Sequence, residues 1–340
     1  MDTVRTVFQN HRLCVTALLL ICAIPLFPEY IAPVLAIISV FVAAADARQR
    51  GTGLQLGGVG KLLLVYIAYL AVGVLYSEHK FNSLCDCLMW LVMLLAYITV
   101  VTVVYDRNRF KVASFLVTVC VGIVGAIACL QYVARLFIDS DIPNQLWGFV
   151  DRIFYQYFPM DVNIYHSDHR VASTFNNPNI MAEYLVMMLP LCIFSGFDGK
   201  RTSLQLLSRL CLLFGVFGIA LSFSRGAYLA LLSMLLLIIV THLRRITPFL
   251  LSIVAAVSLI PEAVVTRFLE IGSTSDSSIS QRFAAWDAAI QAVLQHPILG
   301  LGPGIMNFQE FMAAHGVYQP HAHNVVLQIL ACGGFIALFL

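Results

Sequence analysis

Long apolar stretches separated by short polar segments run along most of this chain. Ten of them are candidate membrane spans, although several are shorter than the roughly 20 residues that a helix needs to cross hydrocarbon. The candidate spans are Leu13–Phe27, Ile31–Ala45, Leu62–Leu75, Leu84–Val104, Ala113–Ile138, Ile180–Phe194, Leu204–Leu221, Ala227–Val240, Ile246–Ile260 and Asn324–Leu340. The pattern predicts an all-α fold, a polytopic transmembrane helical bundle of about ten spans in which residues 1–340 form a single membrane domain.

The composition supports a membrane protein. Apolar residues make up 60% of the chain and charged residues only 11%, whereas soluble domains carry about 25% charged residues. Membrane lipid is therefore an expected partner, and nucleic acid is not. All nine cysteines lie in apolar segments, where they are expected to be small buried side chains. Cys85-Asp86-Cys87 is one C-x-C without a second pair, which is a weak sign of metal binding.

The distribution of cations predicts the topology. With ten spans and a cytoplasmic N-terminus, thirteen of the twenty Lys and Arg residues fall on the inner side and six on the outer side. Only Pro25, Pro28 and Glu29 divide the first two spans. Merging these spans would move every later loop to the opposite side of the membrane and break this pattern. We therefore expect two long external loops, residues 139–179 and 261–319. The first apolar run lacks a cleavage site and is expected to remain as a span.

The short polar segment around Arg225 is the first candidate site. Ser222-Phe223-Ser224-Arg225-Gly226 joins two apolar helices with almost no room for a loop, so Arg225 should lie at the outer membrane boundary. A guanidinium group there can reach lipid headgroups, or it can offer paired donors to a phosphate. Gly226 leaves space for a phosphate beside the guanidinium group.

The segment Ser280–Gln295 is predicted to be an amphipathic helix with Ser280 as its N-cap and Pro297 beyond its end. Arg282 and Trp286 are four residues apart and should lie on one face. We expect this helix to lie against the membrane surface or across the mouth at the membrane boundary, where Arg282 is either an exposed surface cation or a ligand for an anion. The following Gly300-Leu301-Gly302-Pro303-Gly304 indicates a tight turn, not a dinucleotide loop.

His323 precedes Asn324 at the start of the last apolar span. A neutral imidazole can accept a proton from a hydroxyl group, so His323 is a candidate general base; the alternative is a capping or headgroup-facing histidine. His321 lies two residues earlier on a presumed helix start and is expected to point in a different direction. A metal site from His315, His321 and His323 has no usual zinc spacing, so no metal is predicted.

Three further polar residues lie near the start of the sixth span. Asn177-Pro178-Asn179 favours a turn and a helix start. Glu183 then falls one turn inside the membrane, where a carboxylate is costly unless it is paired or hydrated. Arg170, Arg225 or an asparagine amide could satisfy it, so Arg170, Asn179 and Glu183 are weaker site candidates.

Five motifs together resemble the O-antigen ligase and polymerase family of bacterial inner-membrane glycosyltransferases. They agree in order and spacing over about half the chain, roughly Arg170–Gly334. The matching pieces are Arg170–Tyr184 with its Phe-Asn-Asn-Pro-Asn, Ser224-Arg225-Gly226-Ala227-Tyr228-Leu229, Arg282-x-x-x-Trp286-x-x-Ala289, His296-Pro297-Ile298-Leu299-Gly300-Leu301-Gly302 and His323-Asn324-x-x-Leu327-Gln328.

The resemblance implies transfer of a glycan from undecaprenyl diphosphate to an acceptor hydroxyl at the outer face of the cytoplasmic membrane, without a cofactor. It implies that Arg225 and Arg282 contact the diphosphate and that His323 activates the hydroxyl, with Asn324 beside it. The acceptor would be a glycan, a lipid or a protein, and the motifs do not separate a ligase from a polymerase.

A multi-span transporter or channel for a small solute is the alternative function. Transporters carry polar residues at mid-membrane and internal repeats. Only Asp86 and Glu183 lie at such depth, and no repeat is visible. Family members commonly continue for further spans after the histidine motif, so a short member or a truncated sequence is expected here.

Overall fold

A computed structural model describes residues 10–138, 170–198, 203–237, 277–319 and 321–340, together with residues 4, 7 and 8. Every extended regular element among these residues is a helix, which agrees with the all-α prediction. The α-helices are α1 Arg12–Cys22, α2 Ala32–Gln49, α3 Gly57–Tyr76, α4 Lys80–Val103, α5 Arg107–Ile138, α6 Pro178–Phe197, α7 Ser203–Leu221, α8 Arg225–Leu237, α9 Ser277–Gln295, α10 Ile305–Ala314 and α11 Val325–Phe339.

Six of the described helices are long and apolar enough to cross a membrane, which makes this a multi-pass membrane protein. They are α2, extended back to Glu29 by a short 3-10 turn, and α3 to α7. Three shorter apolar helices, α1, α8 and α11, coincide with further predicted spans. The predicted span Ile246–Ile260 and residues 139–169 and 261–276 of the predicted external loops lie outside the described residues. Ten spans and the sidedness of the loops stay predictions.

The chain divides into two compact units, of which the first comprises residues 1–35 and 104–271. Its described core is built from α5, α6 and α7, and glycines allow α5 and α7 to approach closely. A Cβ atom on Gly125 of α5 would lie only 2.2 Å from the main-chain oxygen of Phe214 on α7. Small residues at a helix crossing are the usual way to pack transmembrane helices, because van der Waals contact must replace the hydrophobic effect there.

The second unit comprises residues 36–103 and 272–340. In it α3 and α4 pack together as neighbours in sequence, while α9 packs on α10 and α11. The contact between α9 and α11 is made by small side chains and two larger ones that fill the remaining space. These buried residues are Ala285, Ala288, Ala289, Ala292, Phe308, Met312, Ala322 and Ala331.

A loop inserts its main chain into a break in α11 and so fixes this helix. Gly334 has φ +65° and ψ −168°, which interrupts the helix and leaves main-chain groups without helical partners. Leu301 N–H donates to the oxygen of Ala331, and Gly302 N–H donates to the oxygen of Cys332. Irregular backbone is tolerated at membrane depth where other protein groups satisfy it.

Candidate functional site

Arg225 is the first residue of α8 and follows a link of only three residues after α7. The link is held by its own side chains: Ser222 Oγ donates to the oxygen of Ile219 at 2.6 Å and accepts the N–H of Ser224 at 3.2 Å. Phe223 takes a positive φ of 52°, which such a sharp reversal requires. The predicted tight connection is therefore confirmed, and Arg225 stands at a helix start, where main-chain N–H groups favour an anion.

Open space lies beside Arg225 on the next residue of the helix. Gly226 is exposed, and a Cβ atom built on it would meet no heavy atom within 4 Å. The two following residues, Ala227 and Tyr228, are buried instead, and the Tyr228 hydroxyl donates to the oxygen of Ala220 at 2.6 Å. The start of α8 is thus anchored on one side and open on the other.

Arg170 supports the turn before Arg225. Its Nε donates to the main-chain oxygen of Ser222 at 2.8 Å, and a terminal nitrogen donates to Oδ1 of Asn179. Asn177 caps α6 by accepting the N–H of Asn179 at 2.8 Å, with Pro178 at the first helical position, as the sequence predicts. Arg170 and Asn179 are therefore brought together with the Arg225 turn, and their recorded contacts hold the backbone in place.

Where the structure describes the chain, Glu183 does not pair with Arg170, Arg225 or an asparagine amide, the partners that the sequence suggests for it. Its side chain is exposed on α6, and among the described residues no hydrogen bond or ion pair involves it. Two nitrogen atoms of Arg170 are already used on Ser222 and Asn179. A role for Glu183 in the site stays a prediction.

In the second unit, His323 lies in a short non-helical segment before α11. Asn324 is the N-cap, because its Oδ1 accepts the N–H groups of Val326 and Leu327 at 3.1 and 3.2 Å. Ala322 is fully buried, and its N–H donates to Oε1 of Gln328 at 2.9 Å. His323 itself has φ +51°, a conformation that few side chains adopt and that is held here by the contacts on both sides.

His321 and His323 point to the same side, so the expectation that they diverge is wrong. Their ring centroids lie 4.1 Å apart with the planes inclined at 50°. The physical reason is that the segment is not helical: the chain bends at both histidines, and the left-handed φ of +51° at His323 turns its side chain away from the direction that a helix would give.

Arg282 on α9 provides the positive charge beside these rings. Burial lowers the pKa of His323 to about 4, with further lowering by His321 and by Arg282. Burial and then Arg282 also lower the pKa of His321 from its ordinary value. Both imidazoles are therefore neutral near pH 7, and His323 can accept a proton there.

Two glutamine side chains joined by a hydrogen bond support the His323 ring, and the sequence analysis does not predict this contact. Gln319 Nε2 donates to Oε1 of Gln281 at 3.0 Å, and Gln319 Oε1 lies 3.4 Å from Nε2 of His323. Gln281 precedes Arg282 on α9, so this chain links the helix that carries the cation to the segment that carries the imidazole. Isolated glutamines in a polar stretch give no sequence signal for such a network.

Helix α9 begins at Ser277, so Ser280 lies inside it and is not the N-cap. Arg282 is exposed, whereas the indole Nε1 of Trp286, one turn later, is buried without a hydrogen-bond partner among the described residues. Phe283 packs edge-on against Trp286 with ring centroids 5.2 Å apart. The face of α9 near the histidines thus combines one cation with aromatic side chains.

The candidate site residues are divided between the two units. Arg170, Asn179 and Arg225 belong to the first unit, and Arg282, His323 and Asn324 belong to the second. Their meeting in one site stays a prediction. Within the described ranges, no group of three or more His, Cys, Asp or Glu side chains could hold a metal ion, so the alternative metal site of His315, His321 and His323 is not formed.

Comparison with known proteins shows similarity to one family over part of the chain. The family model described as "O-Antigen ligase" matches residues 210–340, which include Arg225, Arg282, His323 and Asn324. A "General O-oligosaccharyltransferase" from Acinetobacter baylyi is 26% identical over 269 residues, covering 73% of this chain and 43% of that protein. The chain thus spans less than half the length of this curated relative. No solved structure matches the chain.

Proposed function

We propose that the chain is a member of the O-antigen ligase family, whose model it matches over residues 210–340, and a glycosyltransferase of the bacterial cytoplasmic membrane. It transfers a glycan from undecaprenyl diphosphate to an acceptor hydroxyl at the outer face, and its N-terminus is cytoplasmic. The similar protein is an oligosaccharyltransferase by name, which supports transfer of a preassembled glycan. The acceptor is a second glycan, a lipid or a protein.

One observation carries the proposal: a neutral imidazole, His323, lies in the electrostatic field of an exposed guanidinium, Arg282. Glycan transfer from a diphosphate needs these two groups, because a hydroxyl must lose its proton while a charged group departs. His323 lies just before the apolar helix α11, where a lipid-linked donor would bring its headgroup.

The step balances as a single displacement. His323 accepts the proton of the acceptor hydroxyl as that oxygen forms a bond to the anomeric carbon of the glycan. The bond from the anomeric carbon to the diphosphate oxygen breaks, and the lipid diphosphate leaves with the electron pair. The proton on His323 then passes to solvent or to the departing phosphate. General base assistance of this kind contributes about 100- to 10,000-fold in rate.

The arginines stabilise the charge that collects on the leaving diphosphate. Arg282 and Arg225 would both contact it, with the N–H groups at the start of α8 behind Arg225. Guanidinium groups offer paired donors that match two phosphate oxygens, so the reaction needs no metal ion. Open space at Gly226 leaves room for a ligand beside Arg225.

Reconstitution of the protein in lipid nanodiscs with an undecaprenyl-diphosphate glycan tests the proposal. We expect transfer to a supplied acceptor, with and without a chelator. Separate incubations with a lipid acceptor, a protein acceptor and a second lipid-linked glycan distinguish a ligase from a polymerase. Transport of glycan without formation of any new glycosidic bond would contradict the proposal and favour the transporter alternative.

A further inference from the structure

His321 has no role in the mechanism above, yet its ring is the one that touches His323. The two rings lie side by side on a bent, non-helical segment, with centroids 4.1 Å apart and planes inclined at 50°. Ala322 between them is fully buried against the small-residue contact of α9, α10 and α11. This buried residue fixes the segment, so both histidines are directed outward together.

The geometry of the pair is held from both ends. Gln328 on α11 accepts the N–H of Ala322 through its side-chain oxygen at 2.9 Å. Gln319, which is bonded to Gln281, lies at 3.4 Å from the ring nitrogen of His323. The His321 ring also packs against the His323 imidazole, so the identity of residue 321 should affect where that imidazole lies.

We propose that His321 is a positioning residue for His323. It holds the imidazole in place and, together with Arg282, determines how much positive charge opposes the protonation of this ring. The inference rests on the proposed function, because it concerns how the base of that reaction is controlled. It also implies that an anionic group bound beside Arg282 changes the proton affinity of both histidines.

The charges around the rings give the direction of this effect. A proton on His323 is repelled by Arg282 and by any proton on His321, so the pair holds at most one proton near neutral pH. A diphosphate beside Arg282 cancels that repulsion, and His323 becomes a stronger base when the donor is bound. Base strength would thus rise in the donor complex, before the hydroxyl is deprotonated.

Other titratable groups on the packed helices do not take part. On α9, Asp287 lies about 140° around the helix from Arg282 because successive residues advance by about 100°. On α10, the carboxylate of Glu310 is bonded to Nε2 of His79 at 2.6 Å. His315 Nδ1 lies 2.8 Å from the oxygen of Phe311, and its ring packs on the Phe311 ring.

Nuclear magnetic resonance titration of the full chain in nanodiscs, with labelled histidine, tests the inference without turnover. In His321→Phe, which keeps a ring but removes a titratable group, the midpoint of His323 should move upward by at least about half a pH unit. His315→Phe is the matched control and should leave that midpoint unchanged. Addition of a short-chain prenyl diphosphate should raise the His323 midpoint in the wild type. The same addition should raise this midpoint by a smaller amount in an Arg282→Gln variant.

An unchanged His323 midpoint in His321→Phe would overturn the inference, even if the variant transfers glycan poorly. A merely structural role would lower activity without moving the midpoint. In the transfer assay, the acid limb of kcat/KM should move to higher pH in His321→Phe by the same amount. If the midpoint moves but the wild type transfers no glycan, the coupling stands and the proposed function fails.

Discussion

The Nε atom of Arg170 donates a hydrogen bond of 2.8 Å to the main-chain oxygen of Ser222, three residues before Arg225. The same guanidinium group reaches Asn179 at the start of α6, so one side chain joins α6 to the link between α7 and α8. Arg135 in turn donates to the main-chain oxygen of Arg170 at 2.6 Å. Arg170 therefore supports the turn before Arg225, whereas the role that we propose for Arg225 is recognition of the diphosphate.

Arg170→Ala should destabilise the protein, because the buried Ser222 loses a hydrogen bond to its main-chain oxygen. An unpaired buried group costs about 1–3 kcal/mol. The unfolding temperature of the purified protein in one fixed detergent measures this, with Arg225→Ala as the comparison. A larger drop in Arg225→Ala than in Arg170→Ala would contradict the division of roles.

Arg225→Lys should lose most transfer activity while its unfolding temperature stays near that of the wild type. Lysine keeps the positive charge but cannot make paired contacts with two phosphate oxygens. Transfer rates per folded molecule and donor affinity give the comparison. Normal turnover by the lysine variant would mean that Arg225 serves only as a headgroup-facing cation.

Substitutions at Gly226 test whether the open space beside Arg225 is occupied by a ligand. Gly226→Ala should be tolerated and can stabilise α8 by up to about 1 kcal/mol, because alanine is the better helix former and nothing obstructs its Cβ atom. Gly226→Trp fills the space and should weaken donor binding and transfer at least about tenfold, which corresponds to about 1.4 kcal/mol. Equal transfer by both variants would show that the space is not used.

The loop that inserts into α11 should depend on Gly300. A Cβ atom there would lie 2.4 Å from the main-chain carbon of Cys332, in addition to the strain of φ +66°. Gly316 is the matched control, since its φ is +74° but no atom lies within 4 Å of a Cβ atom. Gly300→Ala should therefore unfold at a clearly lower temperature than Gly316→Ala. Equal unfolding temperatures would mean that the loop accommodates the Cβ atom without a loss of stability.

Transfer should resist acid. An ordinary histidine base would lose half its activity near pH 6.5, but the pKa of His323 is lowered to about 4, so its neutral form persists to lower pH. Because kcat/KM reports the free enzyme, it should stay level from pH 8 to about pH 5 and fall below that. A half-maximum near pH 6.5 would show that the surroundings of His323 do not lower its pKa.

Hydrophobic pattern and turn chemistry predict much of the fold. The helix starts at Asn177-Pro178 and Asn324 follow from local capping, which sequence alone encodes. The sequence alone does not predict the pairing of His321 with His323, because the bent backbone with a left-handed φ at His323 depends on the burial of Ala322 against distant helices. The insertion of the Gly300 loop into α11 is a long-range contact, and no local pattern specifies it.

The account depends most on His323, and the rate of glycan transfer by purified His323→Ala in nanodiscs tests it most directly. If His323 takes the proton of the acceptor, the variant should lose about 100- to 10,000-fold in transfer rate while it still binds the lipid-linked donor. His315→Ala, the matched control on α10, should retain the wild-type rate. Transfer by His323→Ala at close to the wild-type rate would contradict the account.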